Sequence, residues 1–153
     1  MQNSELVRGD SNQSARRSVE VEGQGFPRAA RLLKHSDFER VYKQGRRHFS
    51  PHMTVFYLPR PSGAAETAGT RVGFTVGRAL GGAVDRNRIK RRLREAVRLR
   101  RSVFSGVGLE AAADVVINPK KSVLTLEFQV VLEEVGRAFD AIARVLKRKK
   151  AES

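Results

Sequence analysis

The chain has 153 residues, 40% of them hydrophobic, and no cysteine. That length supports one domain with its own core, and the absence of thiols excludes disulfides and thiolate metal sites. Thirty Lys and Arg stand against 16 Asp and Glu, a formal net charge of +14. Self-repulsion of that size points to a polyanionic partner, of which nucleic acid is the commonest. No apolar run approaches the ~18 residues of a membrane span and the N-terminus lacks the apolar segment of a secretory signal, so a cytoplasmic protein without a membrane partner is expected.

The charge is unevenly spread. Residues 1–30 hold four basic and four acidic side chains, so the whole excess lies in residues 31–153. Residues 1–28 are rich in Ser, Asn, Gln and Gly and have no apolar period, which predicts a disordered extension ahead of one domain at residues 29–150. From Arg31 the run R-L-L-K-H-S-D-F-E-R-V-Y-K-Q-G predicts a helix with Ser36 as N-cap, Glu39 completing a capping box and Gly45 as the stop. Phe38, Val41 and Tyr42 share one face of it. Rings at helical spacing are ordinarily core, but Arg40, Lys43, Arg46 and Arg47 stand beside this pair. Rings interleaved with cations are what single-stranded RNA binds.

The aromatic and β-branched run at residues 48–58, H-F-S-P-H-M-T-V-F-Y-L, predicts extended chain. Pro51 divides it into a short strand at residues 46–49 and a longer one at residues 52–58. A loose loop at residues 59–69 ends that hairpin, and T-R-V-G-F-T-V at residues 70–76 alternates as a strand. The glycine turn G-R-A-L-G-G leads into D-R-N-R-I-K-R-R-L-R-E-A-V-R-L-R-R, residues 85–101. From Arg86 onward this run carries nine basic residues against Glu95 alone. Ile89, Leu93, Ala96 and Val97 recur at helical spacing, so an amphipathic helix is predicted with Asn87, Arg91, Arg94 and Arg98 projecting opposite its apolar stripe. A connector at residues 104–110 follows. Next come a buried strand A-D-V-V-I stopped by Asn118 and Pro119, and a final helix at residues 125–148 with Phe128, Val131, Leu132, Val135, Phe139, Ile142 and Leu146 on its apolar face. The order is that of an α+β domain, one small sheet with helices packed on it.

No constellation suited to catalysis emerges. His48 and His52 are separated by Pro51 in a strand pattern and do not share a helix face as a ligand pair would, and His35 stands apart. Asp85 and Glu95 sit among arginines as local charge partners, while Glu133 and Glu134 diverge on the last helix. The glycine turn has neither Walker nor dinucleotide-binding spacing. No catalytic residue, metal ligand or small-molecule cofactor is assigned to the polypeptide.

Taken together, Val72-Gly73, Val76, Gly81, Ala83-Val84, Arg86-Asn87-Arg88, Lys90-Arg91 and Arg94-Glu95 closely resemble the motif of the protein subunit of bacterial ribonuclease P. Weaker similarity covers L-K-H-S-D-F-E-R-V-Y-K-Q-G and A-D-V-V-I-N-P-K-K, so the resemblance spans residues 31–146. It implies the order αβββαβα, with a small mixed sheet and a left-handed βαβ crossover in a ribosomal protein S5 domain 2-like fold. It also implies a ribonucleoprotein whose catalytic RNA, using Mg²⁺, cleaves the 5′ leader from precursor tRNA. By position, Arg78, Arg86, Asn87, Arg88, Lys90, Arg91, Arg94 and Arg98 are expected to face the catalytic RNA. Phe38, Tyr42, Lys43, Arg46 and Phe49, with Phe56 or Tyr57, are expected to line the leader site. The chain departs from the family pattern at Ala79, where a second lysine is common, and at Gly82, where Asn is. Two other readings of the residues stay open: a basic ribosomal or RNA-chaperone-type binding protein, and a double-stranded-DNA binder laying its basic helix in a major groove.

Overall fold

The computed structural model describes residues 26–60, 69–106 and 112–152. The extension up to residue 25, most of the loop after residue 60 and the second half of the connector lie outside them. Helix α1 is His35–Gln44, strand β1 Arg46–Phe49, β2 Met53–Pro59 and β3 Arg71–Phe74. Helix α2 is Ala83–Arg100, β4 Ala113–Pro119 and α3 Phe128–Glu152, giving the expected order αβββαβα. Short 3-10 turns at Arg28–Ala30, Arg78–Leu80, Arg101–Gly106 and Lys121–Leu124 join them.

The sheet runs β1-β2-β4-β3. The β1/β2 and β2/β4 pairs are antiparallel, whereas β3 and β4 are parallel neighbours connected through α2. β4 is central and covered on both faces, which is why its sequence is a near-continuous apolar run and not an alternation. It extends past its expected end, because Met53 pairs with Pro119, and a proline at the strand terminus costs no ladder hydrogen bond.

Period-two alternation divides the sheet into two faces. Met53, Val55 and Tyr57 of β2, Val72 of β3, and Ala113, Val115 and Ile117 of β4 join the main core. There they meet Ile89, Leu93, Ala96 and Val97 of α2, and Val131, Val135, Phe139, Ile142 and Leu146 of α3. The opposite face carries a smaller cluster, in which Leu32, Val41 and Val116 are buried and Phe38, Tyr42, Phe56 and Leu58 pack around them. Helix α1 covers this face, and α2 and α3 cover the other.

Three local expectations change. Phe26, assigned by composition to the extension, is 5% exposed in the main core and stacks edge-on against Phe74 at 6.2 Å. α1 has no capping box. It begins at His35 after Lys34, with no side-chain cap, so Ser36 already lies inside the first turn, and Glu39 pairs with His35 at 3.3 Å. Gly45 does end α1, but in extended backbone (φ −81°, ψ 173°), not in a left-handed cap. Its glycine is needed for room, since a Cβ there would lie 2.5 Å from the Val41 carbonyl oxygen and 2.7 Å from that of Tyr57.

Candidate RNA-binding surfaces

The first surface is the outer side of α2. Its predicted apolar stripe is buried, so the arginines must leave on the other side. Asn87, Arg88, Arg91 and Arg94 are exposed, and among the described residues none of them is engaged by a carboxylate. Partial burial and the neighbouring Arg31 and Arg91 guanidinium groups lower Arg94 from the usual arginine range, and it remains charged. Arg31 carried no signal as a site residue in the sequence. Its Nε and Nη2 donate to the Phe26 carbonyl at 3.0 and 2.8 Å, with Cζ 5.6 Å from the centroid of the Phe26 ring.

Not every cation of the motif is free to leave the helix. Arg86 donates through Nε to the Gly81 carbonyl at 3.2 Å, closing the turn before α2. Arg98 donates to Glu95 at 3.0 and 2.5 Å, and this holds the Glu95 carboxyl below the usual carboxylate range. Arg92 donates to the Leu126 carbonyl and is structural. Lys90 is half-buried, and Arg78 is exposed in the 3-10 turn beyond β3.

The second surface is the α1 face of the sheet, on the other side of the molecule's middle layer. Register arranges it in three rows across β3, β4, β2 and β1. Arg71, Asp114 and Leu58 form the first, and Gly73, Val116, Phe56 and Arg47 the second. The third holds Asn118, Thr54 and Phe49, with Thr75 joining at the end of β3, where its N–H donates to the Ile117 carbonyl at 3.0 Å. Helix α1 lies over these rows with Val41 buried beneath it. Phe38 passes so close to Gly73 that a Cβ there would sit 2.5 Å from the ring's Cζ. Tyr42 meets Phe56 edge-on, centroids 4.9 Å apart at 83°. The Tyr42 hydroxyl donates to Asn118 Oδ1 at 2.9 Å and hydrogen-bonds with Thr75 Oγ1 at 2.5 Å.

The structure therefore brings Phe38, Tyr42 and Phe56 together, with Phe49, 70% exposed, at the open end of the third row. Lys43 is exposed on α1 beside Tyr42. Between Phe56 and Tyr57 the alternation decides, since Tyr57 is buried in the opposite core. Arg46 is not brought to this surface: it pairs with Tyr57, so its side chain leaves on the α3 side. The cation at the rings is Arg47, whose Cζ lies 5.4 Å from the centroid of Phe56. Strand parity would have made that choice from sequence once the β1/β2 register was known. Thr75 and Asn118 had no signal at all, because their partner is a hydroxyl distant in the chain.

The histidines behave as local structural groups. His52 Nδ1 hydrogen-bonds with Ser122 Oγ at 2.7 Å, and its backbone N–H donates to the buried Glu134 at 3.2 Å. Burial and then the nearby Arg137 charge lower His48 from the usual imidazole range. Among the described residues, no group of three or more His, Cys, Asp or Glu comes together that could hold a metal ion. No described helix is long and apolar enough to cross a membrane.

Similarity to known proteins identifies the family of the chain. Residues 26–143 match the family model described as Ribonuclease P. A ribonuclease P protein component of Desulforapulum autotrophicum is 38% identical over 119 residues, covering 78% of this chain and 93% of that protein. The solved RNase P protein of Thermotoga maritima is 28% identical with a TM-score of 0.53, covering 77% of this chain and 96% of that one. The Staphylococcus aureus RNase P protein, at 24% identity and a TM-score of 0.56, shares the fold over 77% of this chain and 95% of its own. A match across more than half the chain, with both surfaces inside it, shows that the chain belongs to the ribonuclease P protein component family.

Proposed function

We propose that this protein assembles with the catalytic RNA of ribonuclease P through the outer side of α2 and takes the 5′ leader of precursor tRNA on the α1 face of the sheet. The observation that carries the proposal is the separation, by the sheet itself, of an arginine line that no carboxylate engages among the described residues from an aromatic and cationic surface. Each surface suits one kind of RNA. Guanidinium forks fixed on a helix pair bidentately with phosphates of a folded RNA and lose little side-chain entropy in doing so. Rings with an adjacent cation stack successive bases whatever their identity, which fits leaders of varied sequence. A general basic RNA-binding protein would need the first surface and not the second.

Chemistry belongs to the RNA in this reading. Mg²⁺ held by the RNA would supply an activated water and charge stabilisation there, and no residue of this chain is assigned to hold it. The protein's residues orient and hold: Arg88, Arg91 and Arg94 fix the subunit on the RNA, while Phe38, Tyr42, Phe56 and Arg47 hold the leader beside the cleavage point. The cytoplasm, where precursor tRNA is processed in a bacterium, is the expected location. The direct test is reconstitution with a bacterial catalytic RNA at low Mg²⁺, where adding this protein is expected to raise precursor tRNA cleavage. No stimulation at saturating protein would overturn the reading.

A further inference from the structure

We infer that Asp114 is a positioning residue for the leader surface: with Asp37 it fixes α1 at one place over the sheet and so sets the spacing of Phe38, Tyr42 and Phe56. The inference rests on the function proposed above. Asp114 is fully buried, an unusual place for a carboxylate unless it is paired. Its two oxygens gather three arginines, from α1, from β3 and from the residue after β2. Oδ1 accepts from Arg60 Nη1 at 2.7 Å and Arg71 Nε at 2.9 Å, and Oδ2 accepts from Arg71 Nη2 at 2.8 Å and Arg40 Nη2 at 3.2 Å. Asp37 on α1 completes the network, accepting from Arg40 at 2.9 Å and standing 3.6 Å from Arg71 Nη1.

The position of this network argues for its role. At about 100° per residue, Asp37 and Arg40 fall on one flank of α1 and Phe38 and Tyr42 on the other, with Val41 between them against the sheet. On β4, Asp114 lies under the first flank, and Asn118, four residues on and on the same face, under the second. The ion network thus grips the side of α1 turned away from the rings. Arg71 and Asp114 stand in the first row of the α1 face of the sheet, one row away from Phe56 and Arg47. A buried ion cluster is a poor source of net stability, since desolvation consumes most of its Coulomb energy. What the network supplies is fixed geometry: the bidentate Arg71–Asp114 fork sets the carboxylate within the sheet, and α1 is tied to it through Arg40 at 3.2 Å and through Asp37, 3.6 Å from Arg71. Without it α1 is held by Val41, the ring contacts and the Tyr42 hydroxyl, which tolerate sliding along the strands.

The test uses the full chain assembled with the catalytic RNA, and compares affinity for precursor tRNA with affinity for mature tRNA. Asp114→Asn is expected to reduce the precursor affinity about 3- to 30-fold while leaving mature tRNA binding and holoenzyme assembly nearly unchanged. Because removing a buried charge could prevent folding, half-exposed Arg40 provides the second arm. Arg40→Gln is expected to show the same selective loss, and Arg40→Lys to recover most of it. A direct phosphate contact by Arg40 would lower the salt slope of precursor binding by about 0.7, whereas a positioning role leaves the slope unchanged. Equal weakening of precursor and mature tRNA, or a lowered slope, overturns the inference. A native holoenzyme that gains nothing from a leader overturns the functional reading with it, while a native leader preference kept intact by Arg40→Gln overturns this inference alone.

Discussion

Arg46 and Arg47 are identical in type and adjacent in sequence, yet the pleat sends them to opposite faces of the sheet. Arg47 stands over Phe56, and Arg46 pairs with Tyr57 on the α3 side. Replacing Arg47 with Gln is therefore expected to weaken precursor tRNA binding about 2- to 5-fold, the scale of an exposed cation–π contact. Arg46→Gln is expected to change it less, and equal effects in a filter-binding titration would mean that parity does not govern the site. Gly73 makes a parallel point within the family motif. Alanine there would place its Cβ 2.9 Å from the Leu32 carbonyl oxygen as well as against Phe38, so Gly73→Ala is expected to cost about 1–3 kcal/mol in urea unfolding. Gly77→Ala, with nothing within 4 Å of the added atom, should stay within about 0.5 kcal/mol. The glycine of the V-G pair was visible in the sequence. Its reason was not, because the ring it makes room for lies 35 residues earlier in the chain.

At the scale of the element, legibility followed periodicity. α2 was readable almost to its ends, because Ile89, Leu93, Ala96 and Val97 repeat against a charged background and all four are buried. α3 was readable for the same reason, although its first turn starts three residues later than expected, after the 3-10 turn at Lys121–Leu124. α1 starts earlier than the capping-box spacing of Ser36 and Glu39 predicts, because the Lys34 carbonyl already accepts from the Asp37 and Phe38 N–H groups at 3.1 and 3.2 Å. Charge count also proved a coarser guide than geometry. Of the motif cations, Arg86 and Arg98 have intramolecular partners, whereas Arg88, Arg91 and Arg94 present their guanidinium groups outward. Replacing Arg88 and Arg91 together with Ala should accordingly leave the melting temperature nearly unchanged while weakening assembly with the catalytic RNA. The slope of log affinity against log salt should become shallower by about 0.7 for each lost phosphate contact. A slope equal to that of the native chain would remove both residues from the RNA interface.

For the molecule as a whole, the buried charge network ties stability to pH in a direction that can be worked out. Burial alone would raise the Asp114 carboxyl, but hydrogen bonds from Arg71 and Arg60, with their charges, outweigh it and hold the group below the usual carboxylate range. A carboxyl whose folded value is depressed binds fewer protons in the native state than in the unfolded chain. Its contribution is therefore complete above the unfolded value of about 3.9 and is lost as pH falls through the folded value. Over the same interval the net charge of +14 rises as other carboxylates neutralise, so self-repulsion adds to the loss. The two causes are separable with Asp114→Asn, which has no carboxyl to protonate at that site but shares the rising charge. The native chain is expected to melt higher than the variant by a constant margin from pH 7 to about pH 4. Below that the margin should shrink as Asp114 takes up its proton and three arginines lose their common partner. A margin that persisted undiminished into strong acid would show that the Asp114 charge is not what joins Arg40, Arg60 and Arg71, and would leave α1 held by its apolar contacts alone.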